Sequence, residues 1–200
     1  MRFLTENSQN YNHLRKKQFY SLSCLKTISF TVTTNPRGCR YFLENKGLRY
    51  IFPILNKKAL KSKDAEIQFD TTKRALSIIF NLVLYLDENN RLRVLLKLLE
   101  KQGKTLVGLF KTRDEIDARL SDFEKNKKLV EDALRLDGAD EDLVEAGVMA
   151  KRMENGLVEL LYLDFLLLWS FKQSKEVSFL FSIIVQFELR ERVLRDDQKD

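Results

Sequence analysis

Proline and glycine are scarce in this chain, with two prolines and seven glycines among 200 residues. Folds built from many strands need frequent tight turns, and glycine and proline are prominent at those turns. Leucine, lysine, glutamate, aspartate and arginine dominate this sequence instead. The scarcity of turn residues therefore predicts an all-α protein that forms one domain or one compact array.

Apolar residues in the N-terminal part recur every three or four positions, which is the spacing of one buried helical face. This pattern predicts a helix over 14–33, which ends before Pro36 because proline disfavours helical conformation in the residue before it. A short helix should follow and end at Gly47, with that glycine in the left-handed conformation. The next helix is expected over 48–58, and Pro53 should kink or shorten it, since proline lacks a backbone N–H.

The rest of the chain carries the same helical spacing, interrupted by short polar segments. A basic linker precedes a long helix, and an acidic LDGADED segment interrupts the C-terminal part. The predicted elements are a linker at 56–66, helices at about 75–86 and 90–102, a long charged helix from Gly103, a break at 136–142, and apolar helices over 143–173 and 175–195.

Two segments resemble each other within the chain. SCLKTISF at 23–30 aligns with RALSIIFN at 74–81, an offset of 51 residues. A repeated order of short helix, glycine, second helix, linker and long third helix is typical of armadillo-like arrays. We therefore expect an array that ends in a bundle of long helices. The predicted domains are a polar N-terminal arm at 1–12, armadillo-like repeats at 13–102 and a C-terminal helical region packed on the array at 103–200.

The net charge of +6 conceals opposite charges in the two halves. Residues 1–111 contain 21 lysines and arginines and 8 acidic residues, whereas residues 112–200 contain 14 and 21. A basic half attracts nucleic acid or acidic protein segments, and an acidic half attracts basic peptides. RNA contact through residues 46–63 is one interpretation, and a solvated basic linker is the other.

Apolar residues form their longest run at 156–171, about the length of a short membrane span. Glu159 and Asp164 interrupt this run, and each central carboxylate costs roughly 2.5–3.5 kcal/mol in a membrane. A buried helix away from any membrane is therefore expected. The C-terminal helices are also wide enough in their apolar faces to suggest a homodimer contact.

Residues suited to catalysis are few. The GKT at 103–105 resembles the end of a phosphate-binding loop, but position 98 is leucine where that loop requires glycine. His13 is the only histidine and Cys24 and Cys39 are not paired in a CxxC motif, so a catalytic triad, a metal site and a disulfide all lack support. We therefore predict a protein that is not an enzyme and that needs no cofactor.

Carboxylates cluster around the predicted break in the C-terminal half. Their charge is suited to holding a lysine-rich peptide, and their position is equally suited to capping the N-terminus of the next helix. The two roles are compatible. The candidates for peptide binding in this cluster are Asp137, Asp140, Glu141, Asp142 and Glu145.

These segments together resemble the C-terminal half of the beta-catenin-like protein 1 family, armadillo-type proteins of the spliceosome. The resemblance covers NPRGCRYFLENKGLRYIFPIL at 35–55 and the helical segments at 74–86 and 89–100, with weaker similarity at 112–126 and 152–169. Its sharpest motif opens the second helix of a late repeat and includes the proline. The matching residues are Gly47, Leu48, Arg49, Ile51, Phe52 and Pro53.

The resemblance implies a nuclear, non-catalytic scaffold that binds basic localisation-signal-like segments of splicing factors. In armadillo proteins the third helix of each repeat lines a groove, where asparagine side chains hold a peptide backbone through the amide donor and acceptor. Asn81 is the first such candidate and Tyr85, one turn later, is the second. An exposed polar residue with no ligand is the alternative for Asn81.

Overall fold

A computed structural model describes residues 22–56, 64–100 and 103–173. Those residues form eight α-helices and no strand, so the predicted all-α fold is confirmed. The predicted arm at 1–12, the start of the first helix, most of the 56–66 linker and the helix at 175–195 lie outside the described residues. The helices are α1 Leu22–Thr34, α2 Pro36–Glu44, α3 Leu48–Leu55, α4 Ala65–Tyr85, α5 Glu88–Leu99, α6 Lys104–Leu136, α7 Glu141–Glu154 and α8 Leu157–Gln173.

Asn35 and Pro36 separate α1 from α2, as the sequence predicts. Asn35 has extended backbone, and its side-chain oxygen accepts a hydrogen bond of 2.8 Å from the Arg37 amide. Pro36 occupies the first helical turn, where a backbone N–H would have no partner within the helix, so its absence costs no hydrogen bond. The two residues therefore end one helix and begin the next without a loop.

The turn between α2 and α3 corrects the prediction for Gly47. Lys46 is the residue with left-handed backbone, at φ 61°, whereas Gly47 has right-handed helical backbone at φ −54°. The amides of Lys46 and Gly47 donate to the carbonyls of Leu43 and Phe42, which is the hydrogen-bond pattern of a Schellman motif. Glycine is needed for space, because a Cβ at Gly47 would lie 2.4 Å from the buried Phe42 ring.

Pro53 lies inside α3, which ends at Leu55. The helix is therefore short, which is one of the two outcomes predicted for this proline, although residues 57 and 58 lie outside the described part of the chain. Leu48, Ile51 and Phe52 are buried, so one side of the motif contributes to the core. Arg49 is exposed on the same helix.

Helix α4 is the central element of the structure. Asp64 caps its N-terminus by accepting from the amides of Glu66 and Ile67. The helix packs against α1, α2, α3, α5 and α8. Its apolar residues Ala75, Leu76, Ile78, Ile79 and Leu82 are fully buried, so they form the middle of a core that continues into each neighbouring helix.

Helix α6 is 33 residues long and follows α5 after Gly103, whose φ is 72°. It contacts α3, α5, α7 and α8. The GKT sequence therefore begins this helix directly after another helix, where a phosphate-binding loop would need a preceding strand. Thr105 is buried, and its hydroxyl oxygen accepts from the side-chain amide of Asn56 at 3.3 Å.

The predicted helix over 143–173 is wrong, because the structure contains two helices there. α7 ends at Glu154 and α8 begins at Leu157. Gly156 separates them with a φ of 104°, a conformation that L-residues with a side chain rarely adopt. The apolar periodicity continues across this glycine, so the pattern alone gave no sign of the break.

Both cysteines are free thiols. Cys39 is fully buried, and its Sγ donates a hydrogen bond to the Val32 carbonyl at 3.3 Å. Burial raises the pKa of the Cys39 thiol to about 11 and also raises the pKa of Cys24. In the described part of the chain, no helix has the length and apolar character required to span a membrane.

Candidate protein-interaction surfaces

An acidic tip forms where α6 meets α7, and it consists of the five predicted carboxylates Asp137, Asp140, Glu141, Asp142 and Glu145. Gly138 turns the chain with a φ of 85°, and its amide donates to the Arg135 carbonyl. Asp140 then caps α7 by accepting from the Leu143 amide at 2.9 Å. The capping role that the sequence suggested is therefore present.

The carboxylates of the acidic tip have different surroundings. Arg135 donates two hydrogen bonds to Glu141, at 3.0 and 3.2 Å, and this pairing holds the pKa of Glu141 below its usual value. Asp137, Asp142 and Glu145 are exposed, and no ion pair joins them to another described residue. Three carboxylates of the tip thus face solvent without an ion-pair partner among the described residues.

Exposed leucines lie among these carboxylates. Leu136 is 87% exposed and Leu143 is 60% exposed. Single exposed leucines are ordinary on protein surfaces. These two lie beside the carboxylates, where they add contact area for a partner. The acidic tip therefore offers apolar contact as well as negative charge.

The α6–α7 hairpin holds the tip away from the array. Val144 and Val148 of α7 are buried, and Arg152 makes a two-point hydrogen bond to Glu124 of α6. Gly147 allows Leu134 to approach, since a Cβ at that glycine would lie 2.6 Å from the leucine Cδ1. The hairpin is thus packed along its length rather than joined only at the turn.

Arg119 marks the place where the hairpin meets the array. Its guanidinium donates to both oxygens of Glu66 on α4, at 3.0 and 3.1 Å, and to the Asn155 side chain at 3.1 Å. It also lies over the Phe69 ring. From Arg119 to the end of α6 the helix rises roughly 25 Å, at about 1.5 Å per residue.

Asn81 does not lie on an accessible surface, which corrects its assignment as a peptide-binding residue. It is 3% exposed, and its side-chain nitrogen donates to the Ser77 carbonyl at 2.7 Å and contacts Thr33 Oγ1 at 3.5 Å. The amide is directed at α1 and at its own helix. A peptide backbone would have to displace α1 to reach it.

Tyr85 is 43% exposed at the last residue of α4. Glu66, near the start of that helix, is the residue that contacts Arg119, so Tyr85 lies roughly 28 Å further along α4. Phe80 of α4 contacts Phe165 of α8. The neighbouring Asp164 pairs with Arg113, which precedes Arg119 in α6. After Arg119, α6 therefore runs away from Tyr85, and the structure does not bring Tyr85 and the acidic tip together. Peptide binding at Tyr85 stays a prediction.

Asp164 pairs with a cation at the edge of α8. Arg113 donates to its Oδ1 at 2.7 Å, and this bond raises the pKa of Arg113. The Asp164 side chain keeps 39% of its accessible surface. This carboxylate, which interrupts the apolar run, is therefore both paired with a cation and partly accessible to solvent.

Glu159 is a buried carboxylate that the sequence analysis did not select. Its Oε2 accepts no hydrogen bond and lies 3.8 Å from the Lys73 Nζ, which also donates to the carbonyls of Met153 and Glu154 at the end of α7. Burial raises the pKa of Glu159, although Lys73 opposes the shift. Only the fold reveals this, because the carboxylate is buried by packing of α8 on α4.

Glu159→Gln should remove a pH-dependent loss of stability. A carboxylate whose pKa is raised in the folded state lowers the stability of the folded protein as the pH rises above the unfolded-state pKa, here about 4.5. The variant should therefore match the wild type near pH 4 and be the more stable protein at pH 7, measured by thermal unfolding across that range.

The control for this measurement is Glu154→Gln. Lys151 lowers the pKa of Glu154, so the ionised form of this exposed carboxylate stabilises the folded protein. Its replacement should therefore not stabilise the protein at pH 7. A Glu159→Gln protein that melts below the wild type at neutral pH would show that the Lys73 pair outweighs burial.

A second surface is a basic pocket between α3, α5 and α6. It has a volume of about 530 Å³. Three residues of the sequence motif line it, namely Arg49, Phe52 and Pro53. The sequence analysis predicted no pocket at this motif, because nothing in the linear pattern indicated that α5 and α6 would enclose its outer side. The other lining residues are Leu55, Asn56, Lys97, Glu100, Lys104, Thr105, Val107, Gly108, Lys111 and Glu115.

The remaining predicted contacts are only partly described. Lys46 and Arg49 of the proposed RNA segment are exposed, whereas residues 57–63 lie outside the described part of the chain. Leu161, Phe165 and Leu168 form an exposed apolar stripe on α8, where the homodimer was expected. RNA binding and homodimerisation stay predictions.

The described residues form an all-α array of packed helices. The family described as "Catenin-beta-like, Arm-motif containing nuclear" matches residues 11–191. The chain therefore belongs to the catenin-beta-like family of Arm-motif nuclear proteins. This match confirms the resemblance, the armadillo-like fold class and the nuclear location that were predicted. No curated protein matches the chain significantly.

Proposed function

We propose that this protein is a non-catalytic interaction scaffold in pre-mRNA splicing, and that its acidic tip binds basic localisation-signal-like segments of splicing factors. The observation that carries the proposal is the set of five carboxylates within the ten residues 136–145, a segment that contains no lysine or arginine. Asp137, Asp142 and Glu145 are exposed there without an ion pair to a described residue.

The chemistry of the tip suits a lysine-rich ligand. Lysine side chains carry a compact charge on a flexible apolar stem. Carboxylates in solvent attract the charge, and the exposed Leu136 and Leu143 offer contact for the stem. Because the attraction acts mainly through solvent, the affinity should be moderate and should fall with added salt.

The first test is fluorescence anisotropy with a short labelled peptide rich in lysine and arginine. The variant Asp137→Lys, Asp142→Lys, Glu145→Lys should bind at least about tenfold more weakly, equal to about 1.4 kcal/mol. Asp142 lies in the first turn of α7 and Asp137 follows the end of α6, so the helix-dipole effects of the two reversals oppose each other. Circular dichroism should therefore show an unchanged fold.

A matched control has the same change of net charge at carboxylates elsewhere. Glu44→Lys, Asp114→Lys, Asp122→Lys replaces three exposed residues outside the tip. The control should keep the wild-type affinity at physiological salt. Equal losses in the two variants would reduce the interaction to overall charge and contradict a site at the tip.

The splicing role needs a separate test, because the tip is able to bind basic segments from many proteins. Wild-type protein should recover splicing-complex proteins from nuclear extract, and nuclease treatment should not release them. The tip variant should recover less. Loss of all these proteins after nuclease would favour the RNA-contacting alternative, and their absence from every sample would contradict the splicing assignment.

A further inference from the structure

The basic pocket combines an apolar floor with a charged rim. The apolar lining comes from Phe52, Pro53 and Leu55 of α3 and from Val107 and Gly108 of α6. Val107 is the most exposed of them, at 38%. A Cβ at Gly108 would meet only the Asn56 Oδ1, at 3.7 Å, so this glycine leaves the pocket open. The volume of about 530 Å³ falls in the range of small-ligand sites, roughly 300–1,000 Å³.

The rim carries more positive than negative charge. Four cationic and two acidic side chains line the pocket. Lys97 is paired with Glu100 at 2.6 Å, which removes one charge of each sign. No ion pair joins the other three cations, Arg49, Lys104 and Lys111, to a carboxylate in the described part of the chain.

Backbone groups add to the recognition of an extended segment. Pro53 has no N–H, so the Arg49 carbonyl one turn earlier lacks its usual i+4 donor. Lys104 begins α6, whose Gly103 cap supplies no side-chain hydrogen bond. A carboxylate near that end is favoured by the helix dipole, and a peptide N–H is suited to a carbonyl that lacks its i+4 donor.

We propose that the basic pocket binds a short acidic segment of a partner protein, with one apolar side chain of that segment on the floor. Charge complementarity selects the carboxylates, and the concave apolar floor selects the side chain between them. The proposal concerns a different surface from the acidic tip and a ligand of opposite charge. The pocket therefore gives the protein a second class of partner.

The geometry favours a peptide over a nucleic acid. Binding of single-stranded nucleic acid relies on bases that stack on exposed aromatic faces along a basic groove. Phe52 is the pocket's aromatic residue, and it is 3% exposed, so its ring faces are already covered by the core. The pocket therefore lacks an exposed aromatic face for stacking, whereas its volume admits an apolar side chain.

The test uses a short fluorescein-labelled peptide of aspartate and glutamate around a central leucine, titrated with the full chain. Gly108→Leu should fill the pocket and weaken binding at least about tenfold. It should not unfold the protein, because leucine is the better helix former and the site has room. Gly108→Ala is the matched control, and it should bind as the wild type does.

The charges are tested separately with Lys104→Glu, Lys111→Glu, which should also weaken binding about tenfold. The control Lys125→Glu, Lys128→Glu makes the same charge change at exposed positions near the other end of α6 and should leave binding unchanged. A peptide with serine in place of the leucine should bind more weakly than the leucine peptide to the wild-type protein.

Several results would overturn the proposal. These are absent binding by the wild type, full binding by Gly108→Leu, or equal binding of the serine and leucine peptides. A further outcome is that single-stranded RNA binds, that Gly108→Leu weakens this binding, and that the acidic peptide does not bind. This outcome would assign the pocket to nucleic acid instead. Binding of the basic peptide at the acidic tip should be the same in Gly108→Leu and wild type, which separates the two proposals.

Discussion

Gly47→Ala is expected to lower the free energy of unfolding by about 2–3 kcal/mol, as overpacking of a rigid core does. The new methyl group would lie 2.4 Å from the Phe42 ring, and that ring is buried in the core. Alanine's better helix propensity returns at most about 1 kcal/mol. Denaturant unfolding followed by circular dichroism measures the difference.

Two further variants identify the cause of this loss. Phe42→Leu makes space beside position 47, so the double variant Phe42→Leu, Gly47→Ala should be more stable than the sum of the single effects predicts. Lys46→Gly should stabilise the protein by roughly 1 kcal/mol, because Lys46 is the residue with left-handed backbone. Additive single effects at 42 and 47 would contradict a steric contact between them.

Gly156→Ala is expected to have the largest effect, a loss of about 2–4 kcal/mol. Part of this loss comes from a φ of 104° that alanine adopts only with strain. The remainder comes from contacts, since the Cβ would lie 2.9 Å from Ile116 Cγ2 and 3.0 Å from the Phe69 ring. The midpoint of thermal unfolding should fall by about 4–16 °C, given a shift of roughly 2–4 °C per kcal/mol for a chain of this size.

Gly138→Ala is the control that separates backbone strain from steric overlap. Gly138 also has positive φ, but nothing lies within 4 Å of a Cβ built there. Its replacement should cost only the strain, about 1–2 kcal/mol. If Gly138→Ala proves as destabilising as Gly156→Ala, the junction between α7 and α8 is not constrained by Ile116 and Phe69.

These glycines also show where sequence reasoning succeeded and failed. Helical spacing of apolar residues identified α1 and α4, because one face of each helix must be buried whatever its neighbour is. The Asn35–Pro36 junction was predictable because its capping chemistry is local. The position of the Gly47 junction was predicted, but its conformation was not, because the need for glycine comes from the Phe42 ring five residues earlier. The Gly156 junction was missed altogether, because it depends on Ile116 and Phe69.

The candidate sites divide in the same way. The acidic tip was visible in the sequence because its carboxylates are consecutive or nearly so and its turn is local. Asn81 was misassigned because a third-helix asparagine looks the same whether it faces a groove or a neighbouring helix, and here α1 covers it. The basic pocket was missed because its cations come from three helices and meet only in the folded chain.

Because α6 is continuous, it fixes both the distance between the basic pocket and the acidic tip and the angle between them about the helix axis. The basic pocket lies at the first turns of this helix and the acidic tip follows its last. Each residue advances the helix by about 100°, so one residue added to both α6 and α7 beyond Arg119 would swing the tip about a quarter turn around the axis. Seven added residues make nearly two full turns, so they would return the tip to nearly its original orientation about the axis, about 10 Å further from the array. The length of α6 would therefore determine the relative orientation of two ligands bound at its two ends.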